Sequence, residues 1–252
     1  MTNSNAIVPG VLAPSSGDHG EHPPHLLHHF QSVEQQADAT NFAMWLFLLS
    51  EVMFFGGLFT AYLIYRNWYI PAFVAGAHQL NVGLGALNSV LLILSSFSLV
   101  MGVWCAENKR KGGLVLCLIL TFILGLGFLG IKSIEYAEKI EKHHFPGIHY
   151  SLSSFLDPGD DEAARAAGDQ PLPLDMARHT ELYFSLYFAM TGMHALHMIV
   201  GMGILVFMIV RARGGAYTAG HVNFVRNFSL YWNLVDIVWI YLFALLYLVS
   251  RH

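Results

Sequence analysis

Apolar residues in this chain gather into five long runs, covering approximately residues 41–65, 86–105, 114–136, 181–210 and 228–249, separated by polar stretches. Each run is near or above the roughly 20 residues needed to cross a hydrocarbon layer about 30 Å thick. In lipid the backbone polar groups must be satisfied internally, and the short alternating segments of a β-barrel are absent. The pattern therefore predicts an all-α fold: a polytopic membrane protein, a bundle of five transmembrane helices. Gly56, Gly57, Gly125, Gly127, Gly130, Gly192, Gly201 and Gly203 fall inside the runs, where small residues are expected to let helices approach closely.

The polar stretches complete the plan. Residues 1–40 are rich in Pro, Gly, Ser and His without a sustained helical period and read as a cytoplasmic tail; residues 41–252 form the membrane domain. No charged stretch leads into an apolar run at the N-terminus, so no removable signal peptide is expected. Lys109, Arg110 and Lys111 lie between the second and third runs, and Arg211, Arg213 and Arg226 between the fourth and fifth. These basic loops mark the cytoplasmic side, which puts the N-terminus inside and the C-terminus outside. The third run continues outward as a helix if Glu135 pairs with Lys139 and Glu138 with Lys142 at i,i+4. The segment 137–180 then becomes a long acidic outer loop punctuated by Pro and Gly.

Composition narrows the function. With 55% apolar and 12% charged residues, a mean hydropathy of +0.49 and a net charge of -4, the chain lies outside the soluble range. Its basic residues are scattered, which excludes a nucleic-acid binder. Cys105 and Cys117 flank a short basic loop without a second pair, so free thiols are expected rather than a disulfide or zinc framework. No P-loop, nucleophile elbow or dinucleotide turn is present.

Candidate chemistry lies where ionisable groups meet the hydrocarbon, because an unpaired charge there costs several kcal/mol. Glu51 sits near the middle of the first run among Phe47, Leu48, Phe54 and Phe55. It is either a proton-exchanging carboxyl or an interhelical hydrogen-bond pin. His194 and His197, three apart in the fourth run, share an azimuth suited to interhelical hydrogen bonds or a lipid head-group contact; two ligands on one helix fall short of a metal centre. Asp236, with Trp232, Asn233 and Trp239 nearby, is expected to face the bundle and bond an indole or amide, or partner His194 or His197. Lys132 and Glu135 can pair at i,i+3 or snorkel to the interface, in a structural role. The tail histidines His19, His22, His25, His28 and His29 read as solvated.

Three stretches carry a resemblance. Phe47-Leu-Leu-Ser-Glu-Val-Met-Phe-Phe-Gly-Gly57, Thr191-Gly-Met-His-Ala-Leu-His197 leading to Gly201, and Tyr231-Trp-Asn-Leu-Val-Asp-Ile-Val-Trp239 resemble three signature helices of the subunit III family of cytochrome c and quinol oxidases. Leu87-Asn-Ser-Val-Leu-Leu92, Glu135-Tyr136 and the opening Pro23-Pro-His-Leu-Leu-His-His-Phe30 are weaker echoes, the last of them of five-helix bacterial members. The resemblance implies an accessory subunit of a proton-translocating haem-copper terminal oxidase in the bacterial cytoplasmic membrane. It implies no haem or copper in this chain, contacts with subunits I and II and with phospholipid, and support of proton uptake and complex stability through Glu51. The acidic outer loop would add to the field that attracts cytochrome c. Asn233 stands where the family motif often has His, so a proton role of that histidine does not carry over. The accessory subunit of nitric oxide reductase shares the pattern. A small proton-coupled transporter using Glu51, His197 and Asp236 would call for an inverted repeat, which the sequence does not show.

Overall fold

The structure, a computed structural model, describes residues 33–141, 146, 150, 173–215, 217 and 222–249. The tail histidines and most of the acidic loop lie outside the described residues. The chain divides into two units, Met1–Phe42 and Ala43–His252. In the smaller unit, Thr40 returns its hydroxyl to the Gln36 carbonyl at 2.8 Å.

Among the described residues all regular structure is helical: α1 Val33–Trp68, α2 Ile70–His78, α3 Val82–Glu107, α4 Lys111–Glu141, α5 Leu174–Arg178, α6 Thr180–Arg213 and α7 Val222–Phe243. A π-helical stretch, Ala244–Leu248, continues α7. Among the described residues five spans are long and apolar enough to cross a membrane, on α1, α3, α4, α5 with α6, and α7 with its π-helical end.

The sequence reading did not foresee α2. Pro71 cannot donate to the preceding turn, so the chain bends at Tyr69 and starts a new helix with proline in its first turn. Asn81 then caps α3, its side chain accepting from the N–H groups of Gly83 at 3.0 Å and Leu84 at 3.3 Å. The basic turn after α3 is a Schellman closure: Arg110 N–H reaches the Cys105 carbonyl at 2.8 Å and Lys109 N–H the Ala106 carbonyl at 3.1 Å. Lys109, at φ 56°, occupies the left-handed position usually given to glycine. Cys105 and Cys117 are free thiols.

In the larger unit α3 packs on α4 and α7, α4 on α6, and α6 on α7, while α2 lies against α6. Trp232, fully buried on α7, is the keystone of the packing. A Cβ at Gly125 would come within 3.3 Å of its indole and one at Gly201 within 3.0 Å, so α4 and α6 present bare backbone to the ring. The expected role of the helix glycines holds there but needs correction elsewhere. Gly56, Gly57, Gly130 and Gly203 have nothing within 4 Å of a Cβ, and the tight contacts include Gly76 and Gly85.

At Gly76 a Cβ would sit 2.3 Å from a ring carbon of Tyr183, a buried residue that shares its surroundings with Tyr62 and Phe73. Gly76→Ala is expected to cost about 1–3 kcal/mol through overpacking. Gly56→Ala should be neutral or slightly stabilising, since alanine is the better helix former. Thermal unfolding of the two variants in one detergent checks the contrast; equal midpoints would remove it.

Candidate functional site

The ionisable residues at membrane depth fall into three clusters. The first joins α1 to α6. Glu51 Oε2 lies 2.9 Å from His197 Nε2, with the side chains 17% and 16% exposed. His197 Nδ1 is 2.7 Å from the Met193 carbonyl, one turn back on α6. A carbonyl only accepts, so Nδ1 carries a proton. The contact between Nε2 and the carboxyl is a close approach without hydrogen-bond alignment, since Glu51 Oε2 is shielded from solvent and has no hydrogen-bond partner; a proton placed between them would relieve the repulsion of two bare lone pairs. Such a proton could sit on either group, as carboxylate with imidazolium or carboxylic acid with imidazole, and both arrangements are net neutral. Phe55 packs on the His197 ring at 5.4 Å, and Tyr231 of α7 donates to the His197 carbonyl at 2.9 Å.

His194 is buried deeper, at 1% exposure, between the rings of Phe128 at 5.4 Å and Trp239 at 5.2 Å. Neither of its nitrogens has a protein partner, an arrangement that costs on the order of 1–3 kcal/mol per unmade bond. His194 and the Glu51–His197 pair line one small void between α1, α6 and α7.

The second cluster ties α7 to α3. Asp236 accepts from Ser96 Oγ at 2.5 Å, Trp232 Nε1 donates to Ser95 Oγ at 2.9 Å, and Trp239 Nε1 to Ser89 Oγ at 3.2 Å. The expectation for Asp236 is thereby corrected: its partner is a serine hydroxyl, and the flanking indoles reach other serines. Asn233 is half-buried on α7 and lies outside these contacts. Asp236 Oδ1 has no protein partner, so Ser96→Ala would leave the buried carboxyl without any protein partner. A loss of about 1–3 kcal/mol is expected, measurable as a lower unfolding midpoint; an unchanged midpoint would show that the hydroxyl contributes nothing.

The third cluster lies toward the far end of α4. Lys132 Nζ pairs with Glu135 Oε2 at 3.0 Å, the two side chains 4% and 2% exposed. It also contacts the hydroxyls of Tyr187 at 3.1 Å and Tyr247 at 3.2 Å, and sits 5.0–5.8 Å from the rings of Tyr136, Tyr187, Trp239 and Tyr247. Glu135 Oε1 accepts from Tyr187 at 2.9 Å and Tyr247 at 2.5 Å. Lys132 therefore does not snorkel to the interface. Nor do Glu135 and Lys139 form a solvent-facing i,i+4 pair: both are buried, and Lys139 donates to the Gln79 carbonyl.

Among the described residues, no group of three or more His, Cys, Asp or Glu side chains gathers as a metal site. Sequence reasoning passed over Ser89, Ser95 and Ser96, whose run inside an apolar helix was the available signal, and Tyr187 and Tyr247, which aromatic-rich helices conceal.

Fold and clusters together define a polytopic helical membrane protein whose buried ionisable groups are bonded mainly between helices. Comparison with known proteins gives the family. The family model for cytochrome c oxidase subunit III matches residues 176–251. A cytochrome c oxidase subunit 3 from Synechocystis sp. is 32% identical over 84% of this chain and 76% of its own length. A probable cytochrome c oxidase subunit 3 from Nocardia farcinica is 30% identical over 81% of the chain and 85% of its own length, and the subunit 3 of Ornithorhynchus anatinus is 27% identical over 87% and 72%. The chain belongs to the cytochrome c oxidase subunit III family.

Proposed function

We propose that this chain is an accessory subunit of a proton-translocating haem-copper terminal oxidase, one that passes electrons from cytochrome c to oxygen, in a bacterial cytoplasmic membrane with the N-terminus inside. Haem and copper reside in its partners, and the chain itself binds none. Its main contact is subunit I, with subunit II and phospholipid around it, and the acidic residues of 137–180 strengthen the field that draws a basic cytochrome c. Glu51 and His197 support proton uptake and the lifetime of the working complex.

The observation that carries this reading is the contact between Glu51 of α1 and His197 of α6. It brings a carboxyl and an imidazole together at membrane depth against the helix that buries least: 11% of the apolar stretch of α1 is covered, against 50% of that of α7. Trp45, Leu49, Val52 and Met53 on α1 are more than half exposed, so a larger assembly or lipid must cover them.

Two measurements test the proposal. The tagged chain, extracted in mild detergent, is expected to bring larger polypeptides with a haem spectrum and copper; purification of the intact chain without them from aerobically grown cells would defeat the assignment. In that complex Glu51→Gln is expected to shorten activity during turnover or lower the proton-to-electron ratio. If oxygen reduction, pumping and lifetime all match the parent, the role given to Glu51 is lost.

A further inference from the structure

The end of α7 departs from α geometry without a local cause. Over Ala244–Leu248 the helix is π-wound, and Val249 N–H reaches back to the Ala244 carbonyl, one residue further than an α-helical bond spans. Changes of winding trace to Pro, to Gly and Ser, or to an inserted group. Residues 238–249 contain no Pro, Gly or Ser, and Ala244, Leu245, Leu246 and Leu248 all favour the α-helix. The wider winding is therefore imposed by what the turn touches.

Two sets of contacts hold it. The last carbonyls of a helix find no partner within the helix, and here neighbouring side chains take them. Arg66 of α1 donates to the Val249 carbonyl at 2.8 Å, Tyr62 of α1 to that of Leu245 at 3.5 Å, and Tyr183 of α6 to that of Leu246 at 3.3 Å. On the same turn Tyr247 reaches inward, donating to Glu135 Oε1 and accepting from Lys132 Nζ. Its ring lies where Gly85 leaves the backbone of α3 bare.

We propose that Ala244–Leu248 is a two-state turn that couples the seating of α1 to the buried Lys132–Glu135 cluster. With α1 seated, Arg66 and Tyr62 hold the carbonyls in the π register, and Tyr247 is aimed at Glu135. With α1 displaced, those carbonyls lose their donors and the turn relaxes to the α winding its residues favour. The Tyr247 hydroxyl then swings off the carboxylate, while Tyr187 keeps its bond. α1 is the element suited to move, because 11% of its apolar stretch is covered by the rest of the chain. Arg66 is its strongest hold on the turn, since a guanidinium makes a charge-assisted bond and a phenol does not. Whatever covers the outer face of α1 thereby sets the state of a cluster it never touches. This goes beyond the accessory-subunit reading and rests on the geometry of this chain alone.

The test is solid-state nuclear magnetic resonance of the 13C-tyrosine-labelled full chain in native membranes, with the Tyr247 and Tyr187 signals identified by their loss in Tyr247→Phe and Tyr187→Phe. Arg66→Met is expected to move the phenol-carbon signal of Tyr247 toward that of a weakly bonded hydroxyl and to leave Tyr187 in place. Coupling between two sites is reciprocal, so Tyr247→Phe is expected to speed amide hydrogen exchange several-fold in the last turn and a half of α1, residues 63–68. Two independent structural contacts would not carry the effect that far. A Tyr247 signal unmoved in Arg66→Met, or α1 exchange unchanged in Tyr247→Phe, overturns the proposal. The two measurements use different variants, so either decides if the other variant fails to fold, and neither depends on which partner subunits the chain has.

Discussion

Glu135→Gln is expected to destabilise the protein by about 3–5 kcal/mol, the cost of stranding one charge of a buried pair. The glutamine carbonyl still accepts from Tyr187 and Tyr247, which now donate to Glu135 at 2.9 and 2.5 Å. What disappears is the counter-ion of Lys132, whose ammonium group would remain among four aromatic rings at 4% exposure. Adding Lys132→Met removes the stranded charge, so the double variant should recover most of the loss. Unfolding midpoints in detergent for the parent, Glu135→Gln and the double variant check this order. If the single and double variants melt together, the charge pair is not what binds this end of the bundle.

The cluster joins three spans: α4 supplies Lys132 and Glu135, α6 supplies Tyr187, and the π-helical end of α7 supplies Tyr247. The i,i+3 pairing was legible in the sequence because it is local to one helix. Its burial was not, since burial depends on tyrosines 52 and 112 positions away in the chain. Run length and apolarity were enough to set the five spans, because the bilayer imposes both. The short helix α2 escaped: nine residues containing Pro and Gly look like a loop until they are seen packed on Tyr183.

The glycines teach the same lesson from the other side. A glycine in a span says that close approach is sterically allowed, but the helix face decides whether a neighbour is there. Gly125 and Gly201 face Trp232, whereas Gly56 and Gly57 face outward. Asp236 was legible as a buried carboxyl but its partner was not, because the serine it meets lies 140 positions away on α3. Glu51 and His197 were each singled out by chemistry and by resemblance to family motifs. Their pairing required the contact between α1 and α6.

That pairing permits the two readings of Glu51 to be separated, and the second large effect expected is a stability order of Glu51→Leu below Glu51→Gln, with the latter close to the parent. With Nδ1 donating to the Met193 carbonyl, a neutral His197 facing an uncharged residue 51 presents a bare lone pair on Nε2. A glutamine amide can donate to that lone pair, preserving the bond between α1 and α6 while removing the proton that moves. A leucine leaves the imidazole unpartnered, at a cost of about 1–3 kcal/mol. His197→Phe in the Glu51→Leu background should then cost little more, because the pair's interaction is already gone. Unfolding midpoints of the four proteins, read beside turnover lifetime in the purified complex, distinguish the roles. A structural pin predicts that Glu51→Gln is normal in both; a proton-holding group predicts a normal midpoint with impaired turnover. A midpoint for Glu51→Gln as low as that for Glu51→Leu would mean that the amide does not replace the carboxyl, and that the one-proton description of the contact is wrong.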